Sequence, residues 1–203
     1  MTEQSEMQPP VPADAMRLFV AIQLPAEVKD ALSEVQKELR EVLPKKSASW
    51  TKPDAMHLTL RFLGNVKVSQ LPDLTSRLRS ALTGFGSFSL VCERLGCFPD
   101  LRFPRVVWAW AHDEKERLPL LHQAVDGAVS QFAEKPAEKR FVGHITLARP
   151  KQINKVDARR LADYVEAAVV RKFGAWDCGS VELIRSELSL AGSRYTTLET
   201  FNL

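Results

Sequence analysis

The chain has 203 residues, of which 45% are hydrophobic and 26% are charged, and this is the composition of an ordinary globular protein. Apolar runs all fall short of the ~20 residues of a membrane-spanning helix, which argues against a membrane protein. The net charge of +3 and the pI near 8.8 permit an anionic substrate. This pI is below the value of about 9 expected of a dedicated nucleic-acid-binding domain.

The N-terminal segment and the cysteines indicate the cellular compartment. Residues 1–15 are polar and contain several prolines but no apolar signal sequence, so we predict a disordered tail and a cytoplasmic protein. Cys92, Cys97 and Cys178 are odd in number and match no zinc spacing. We therefore predict free thiols in the protein interior.

Apolar periodicity predicts a single domain over residues 16–203, in which strands and helices alternate. Strands are expected at 17–22, 49–51, 57–62, 88–95, 106–111, 141–148, 181–190 and 195–201. Helices are expected at 26–43, 69–82, 114–132 and 157–173, the last with Asp157 as its N-cap and Gly174 as its stop. A hairpin turn is expected at 191–193.

This order of elements contains two rough copies of strand, helix, motif strand, helix and strand. We therefore predict an α+β fold of two antiparallel-sheet lobes, with helices on the outside and a pseudo-two-fold axis through a central cleft. No linker rich in proline, glycine or serine separates the copies. The two lobes should therefore pack together, and we expect a monomer.

The two predicted motif strands carry the same short pattern, His57-Leu58-Thr59-Leu60 and His144-Ile145-Thr146-Leu147. In a strand, side chains two residues apart share a face, so each histidine should lie beside its threonine, above an apolar underside. The same alternation places Arg61 on the face of His57 and Phe62 on the opposite face. Two such strands would bring both pairs to one cleft.

This arrangement suits hydrolysis of a phosphodiester, which needs one base for water and one acid for the leaving oxygen. Two histidines can divide these roles, because the imidazole pKa lies near neutrality. Each threonine hydroxyl can donate to a phosphate oxygen. No acidic cluster suits magnesium and no spacing suits zinc, so we expect no metal and no other cofactor.

Longer runs around both motifs resemble the two-histidine phosphoesterase superfamily, and within it the RNA 2′,3′-cyclic phosphodiesterases, also called 2′-5′ RNA ligases. The resemblance spans residues 17–203. It is carried by 17–21 (RLFVA), 57–64 (HLTLRFLG), 95–99 (LGCFP), 104–108 (PRVVW), 144–149 (HITLAR), 186–188 (SEL) and 194–195 (RY).

The resemblance implies metal-independent hydrolysis of an RNA 2′,3′-cyclic phosphate to a 2′-phosphomonoester, with weak reverse 2′-5′ ligation. It makes His57 the proton donor to the leaving 3′ oxygen and His144 the proton acceptor from water. Thr59 and Thr146 would hold the phosphate, and so would Arg149, although strict alternation puts it on the opposite face of its strand.

Further expectations concern residues around this core. The family usually has proline before the second histidine, whereas this chain has Gly143, which we expect to loosen the backbone without abolishing activity. Phe19 and Tyr195 are candidates for stacking a base, with packing in the core as the alternative. Arg61 either adds positive charge to the site or forms a salt bridge beneath it.

Two other functions fit the same residues. The first is a phosphodiesterase of the same mechanism that acts on a small cyclic nucleotide, an ADP-ribose cyclic phosphate or a 2′-5′ oligoadenylate. The second is a non-catalytic module that binds an RNA 3′ end.

Overall fold

The computed structural model describes residues 11–137, 140–151, 153–189 and 192–203. Within these residues the strands are β1 (Ala15–Gln23), β2 (Ala48–Trp50), β3 (His57–Lys67), β4 (Phe88–Phe98), β5 (Val106–His112), β6 (His144–Pro150), β7 (Lys172–Cys178), β8 (Ser180–Ser189) and β9 (Gly192–Asn202). The α-helices are α1 (Ala26–Val42), α2 (Leu71–Leu82), α3 (Arg117–Val129) and α4 (Lys155–Ala167). The predicted α+β class is confirmed.

All strands join one curled antiparallel sheet in the order β7-β4-β5-β6-β3-β1-β8-β9, and β2 also pairs with β6. The two motif strands, β3 and β6, are neighbours at the middle of this sheet, where Leu58 pairs with Ile145. The first lobe therefore contains β3, β1, β8 and β9, and the second contains β7, β4, β5, β6 and β2.

The chain crosses repeatedly between these lobes. Helix α1 follows β1 of the first lobe, yet it contacts β6, β7 and α4 on the side of the second lobe. Helix α3 follows β5 of the second lobe, yet it contacts β3 and α2 on the side of the first. Each motif strand therefore rests on a helix that the opposite half of the chain supplies.

Helix α1 illustrates how the sequence builds the layer beneath the sheet. Its buried apolar residues, Val28, Leu32, Val35 and Leu39, recur at three- and four-residue steps and so share one face. This face packs into the main core, between the helices and one face of the sheet. The other face of the sheet stays open, and it carries the histidine and threonine side chains of both motifs.

The end of α4 differs from the prediction. The helix stops at Ala167 instead of continuing to 173, and a strand that the sequence analysis missed, β7, follows it. Val169 and Val170 are exposed, which breaks the helical periodicity, while pairing of β7 with β4 buries Phe173. The N-cap is Asn154, whose side chain accepts a hydrogen bond from the Asp157 amide at 2.9 Å. Asp157 therefore lies inside the first turn.

The predicted tail and the predicted hairpin turn fall partly outside the described residues. Residues 1–10 of the tail are outside them, and β1 begins at Ala15, whose amide donates to the Pro12 carbonyl. Of the predicted turn at 191–193, residue 191 is outside them, and Gly192 already pairs with Ser189 in the β8–β9 ladder. Among the described residues, no helix combines the length and the apolar character that crossing a membrane requires.

Candidate active site

The two motifs lie side by side at the junction of the lobes. In each strand the histidine and threonine are half-buried on the open face, whereas Leu58, Leu60, Ile145 and Leu147 are buried on the helix-covered face. This is the predicted alternation. It brings the side chains of both motifs to one cleft, because β3 and β6 are antiparallel neighbours.

The cleft between the motifs has a volume of about 310 Å³. Its described lining consists of Ser49, Trp50, Thr51, Lys52, Ala55, His57, Thr59, Phe62, His144, Thr146, Arg149, Ser193 and Tyr195. None of these is acidic, and they include one lysine and one arginine besides the two histidines. The cleft therefore favours an anionic ligand that needs several hydrogen-bond donors.

Backbone contacts orient both imidazoles in the same way. Nδ1 of His57 lies 2.8 Å from the Ala55 carbonyl oxygen, and Nδ1 of His144 lies 2.7 Å from the Val142 carbonyl oxygen. A carbonyl only accepts, so Nδ1 of each ring carries a proton and donates it. Nε2 is then the nitrogen at which each ring gains or loses a proton, and either ring can act as acid or base there.

The surroundings of His57 disfavour its charged form. Burial lowers the pKa of His57 to about 4, and electrostatic interactions with His144 and Lys29 act in the same direction, against the hydrogen bond to Ala55. The ring is packed between Phe19, at a centroid distance of 4.8 Å, and Tyr195, at 5.3 Å. His57 is therefore neutral at pH 7.

His144 lies against a second aromatic wall. Its ring centroid is 5.0 Å from that of Phe98, edge to face, and 6.3 Å from that of Trp108. The Trp108 side chain packs against Gly96, where an added Cβ would come within 2.3 Å of the indole ring. The 95–99 and 104–108 runs of the sequence thus build the wall that supports the second histidine.

A β-bulge at the last residue of each motif changes which side chains reach the cleft. In β3, Thr59 pairs with Ala21 and Arg61 with Val20, so Leu60 is an extra residue. In β6, Thr146 pairs with Trp108 and Ala148 with Val107, so Leu147 is an extra residue. An extra residue reverses the alternation of faces beyond it.

The bulges explain where Arg149 and Phe62 lie. Each is the fifth residue after its motif histidine, and both line the cleft. Arg149 thus shares the face of His144, as its predicted role requires. Phe62 was predicted to face the core, and this was wrong: its side chain is 59% exposed. Sequence alternation gave no sign of it, because a bulge leaves no pattern in the residues.

The same shift removes Arg61 from the predicted catalytic face. Its side chain is 8% exposed, on the helix-covered side of β3. There its Nε lies 2.7 Å from Asp126 Oδ1 of α3, and its Nη2 donates to the Lys135 carbonyl at 2.7 Å. Of the two readings of Arg61, the salt bridge beneath the site is the correct one.

A buried glutamine of α1 forms a hydrogen bond to the bulge in β6. Gln36 of α1 is 4% exposed, and its Nε2 donates to the carbonyls of Leu147, at 2.7 Å, and Thr51, at 2.8 Å. Leu147 is the bulged residue, and its carbonyl also accepts the Thr51 amide at 3.0 Å. Gln36 therefore links the bulge of β6, which places Arg149 in the cleft, to Thr51 in the cleft wall.

The two candidates for base stacking, Phe19 and Tyr195, differ in their access to the cleft. Tyr195 lines the cleft. Phe19 is 2% exposed, is absent from the described cleft lining, and packs under His57 and Tyr195, where it supports the site from below. Phe62, which the sequence analysis missed, is the aromatic residue that presents an exposed ring to the cleft.

Gly143 is held tightly and is not loose. It is buried, its carbonyl accepts the Ala111 amide at 2.9 Å, and an added Cβ would lie 2.3 Å from the Ala111 carbonyl oxygen. The expectation of a loosened backbone before His144 is therefore wrong. The missing side chain lets this segment approach β5 closely.

Comparison with known proteins agrees with this geometry. Residues 22–108 match the family model of LigT-like phosphoesterases. The RNA 2′,3′-cyclic phosphodiesterase of Archaeoglobus fulgidus is 32% identical over 186 residues, which cover 92% of this chain and 99% of that protein. The chain belongs to the LigT-like phosphoesterases. The predicted membership of the two-histidine superfamily is thereby confirmed.

Solved structures place this LigT-like phosphoesterase among its relatives by fold. A crystal structure of a Thermus thermophilus protein superposes with a TM-score of 0.75 at 33% identity and covers 93% of this chain and 98% of that one. The crystal structure of E. coli LigT complexed with phosphate gives a TM-score of 0.68 at 26% identity, with 94% and 99% covered. In the described part of this LigT-like phosphoesterase, no group of three or more His, Cys, Asp or Glu side chains could hold a metal ion.

Proposed function

We propose that this chain hydrolyses the 2′,3′-cyclic phosphate at the 3′ end of RNA to a 2′-phosphomonoester. The observation that carries the proposal is the pair of His-x-Thr strands facing one cleft whose described lining is basic and contains no carboxylate. A phosphodiester bears one negative charge and offers two non-bridging oxygens to donors. Thr59, Thr146 and Arg149 are the donors that we assign to these oxygens.

In the proposed reaction, water attacks phosphorus and the bond from phosphorus to the 3′ oxygen breaks. His144 Nε2 takes a proton from the water, and His57 Nε2 gives a proton to the departing 3′ oxygen. The phosphate stays on the 2′ oxygen. The same steps with a 5′ hydroxyl in place of water as the nucleophile would join the 2′ phosphate to that hydroxyl and give weak 2′-5′ ligation. The scheme uses side chains alone, so we propose that it needs no metal ion.

The low pKa of His57 sets a condition on its role as acid, because an acid must hold its proton when the leaving group departs. Burial lowers that pKa to about 4. A bound phosphodiester places a negative charge beside the ring, and an adjacent opposite charge favours the protonated imidazole. We infer that substrate binding raises the pKa of His57. The ring then takes up its proton in the complex with substrate and can act as the acid.

Two comparisons support the proposed substrate. The Archaeoglobus fulgidus relative is named an RNA 2′,3′-cyclic phosphodiesterase, and E. coli LigT has been crystallised with phosphate. The proposed cytoplasmic location is consistent with three buried cysteines that form no disulfide. We propose a monomer, as the sequence predicted.

The decisive experiment incubates the protein with an RNA oligonucleotide that ends in a 2′,3′-cyclic phosphate, in the presence of EDTA. We expect a 2′-phosphomonoester product and a loss of roughly 10²- to 10⁴-fold in kcat for His57→Gln and for His144→Gln. His112→Gln, which replaces a histidine outside the cleft, should retain activity. Product formation that survives both motif substitutions would refute the mechanism.

The substrate class is tested in parallel. We expect the RNA end to be hydrolysed with a higher kcat/KM than 2′,3′-cyclic AMP, ADP-ribose 1″,2″-cyclic phosphate or a 2′-5′ oligoadenylate. A preference for any of these small molecules would move the proposal to the corresponding substrate. Tight binding of RNA without any turnover would instead identify a binding module.

A further inference from the structure

The loop between β4 and β5, residues 99–105, carries an aromatic ring that the proposed chemistry does not use. Phe103 is 68% exposed, more than any other aromatic side chain in the described part of the chain. Arg102 and Arg105, on either side of it, are exposed as well. An exposed ring between two cations is the combination that proteins use to bind single-stranded nucleic acid.

The exposure of Phe103 is built into the loop. Asp100 Oδ1 accepts hydrogen bonds from the amides of Arg102, at 2.8 Å, and Phe103, at 3.0 Å. The Arg105 amide donates to the Phe98 carbonyl at 2.7 Å, and Pro104 between them is buried. Contacts on both sides therefore hold the backbone in place while the Phe103 ring stays in solvent.

The loop continues the cleft on the side of the second motif. It begins after Phe98, whose ring contacts His144, and it ends before Val106. Val107 pairs with Ala148, the residue before Arg149, so Arg105, which directly precedes β5, lies near the Arg149 end of the cleft. Lys52 lies in the cleft wall, and exposed Lys151 follows β6. A chain of phosphates leaving the cleft here would meet positive charge.

We propose that the 99–105 loop binds the single-stranded RNA segment that leads to the 3′ end held in the cleft. Phe103 stacks on a nucleobase of that segment, and Arg102 and Arg105 contact its phosphates. The cleft, at about 310 Å³, is at the small end of ligand sites, so the rest of an oligonucleotide has to lie outside it. This inference rests on the proposed RNA substrate.

The test measures binding and needs no turnover. A ten-nucleotide RNA, labelled with fluorescein at its 5′ end and ending in a 2′-phosphate, is titrated with protein while fluorescence anisotropy is recorded. We expect Phe103→Ala to raise Kd about 5- to 100-fold and Phe103→Trp to keep it near the original value. Val170→Ala, at another exposed apolar site, is the control. Arg102→Gln and Arg105→Gln should each lower the salt dependence of binding by about one unit of slope.

A second ligand separates the loop from the cleft. Binding of 2′-AMP, which has no upstream nucleotide, should be the same in Phe103→Ala and the original protein. An unchanged Kd for the RNA in Phe103→Ala, an equal loss for 2′-AMP, or no RNA binding by the original protein would each overturn the inference. RNA binding through Phe103 without hydrolysis would refute the proposed reaction alone, whereas hydrolysis with unchanged RNA affinity in Phe103→Ala would refute this inference alone.

Discussion

Gly143 is the residue before the second motif histidine, and its surroundings leave no room for a side chain. An added Cβ would lie 2.3 Å from the Ala111 carbonyl oxygen and 2.8 Å from a methyl carbon of Leu118. The first of these contacts is with backbone, which cannot rotate away.

We expect Gly143→Ala and Gly143→Pro to destabilise the protein by about 1 to 3 kcal/mol, as overpacked substitutions do. Urea unfolding measures the change. Gly127→Ala is the control, because Gly127 lies in α3 with nothing within 4 Å of an added Cβ. The control should stabilise the helix by about 0.5 to 1 kcal/mol. A Gly143→Pro protein as stable as the original would show that the close approach to β5 is unimportant.

Residue-level prediction succeeded where the two-residue alternation of a strand holds and failed where it does not. His57, Thr59, His144 and Thr146 all come before the bulges, and their faces were predicted correctly. Phe62 lies after a bulge, where one extra residue reverses the face. A single sequence does not reveal a bulge, since its cause is the pairing with the neighbouring strand.

At the scale of elements, a buried polar side chain connects each bulge to a helix. Under β3, the Arg61 side chain forms an ion pair with Asp126 on α3. Under β6, the Gln36 side chain on α1 donates a hydrogen bond to the carbonyl of Leu147. An unpaired polar group in a core is destabilising, so a change of strand register that broke either interaction would be unfavourable. Each interaction therefore favours one register of its strand.

Gln36 should therefore act on the phosphate site through Arg149. We expect Gln36→Met to destabilise the protein by about 1 to 3 kcal/mol and to raise KM for the cyclic-phosphate RNA, by less than Arg149→Ala does. The double variant should bind substrate no more weakly than Arg149→Ala alone, because both changes remove the same contact. Gln131→Met, at an exposed position, is the control. Additive losses in the double variant would show that Gln36 has only a structural role.

Element-level prediction missed β7 for a related reason. The sequence after Ala167 still contains apolar residues, and the helical pattern was extended through them to 173. The strand forms because β4 offers an edge with which Phe173 to Cys178 can pair. Such long-range pairing overrides local propensity, and it is not encoded within the segment itself.

At the scale of the whole molecule, the lowered pKa of half-buried His57 couples stability to pH. The pKa of His57 is about 4 in the folded protein and near 6.5 in an unfolded chain. As pH falls through this interval, the unfolded chain binds a proton that the folded chain does not bind. Stability attributable to His57 is therefore fully present above pH 6.5 and is lost as pH approaches 4.

Urea unfolding at pH 7.5 and pH 4.5 tests this coupling. We expect the original protein to lose about 2 to 3 kcal/mol more than His57→Gln between the two values, since glutamine does not titrate. Adding inorganic phosphate at pH 4.5 should reduce the difference, because a bound anion favours the charged ring. Identical pH dependence in both proteins would show that His57 is not held neutral by its surroundings.

The exchange of helices between the lobes has a consequence for the origin of the fold. If an ancestral polypeptide carried one motif, its helix would have packed beneath the motif strand of a second copy, as α1 packs beneath β6 and α3 contacts β3. Such a polypeptide could bury its core only as an intertwined pair. Fusion of the two copies would have made that pair permanent and freed each half to diverge. On this account the residue five positions after each histidine, Phe62 in one half and Arg149 in the other, would have diverged after the fusion.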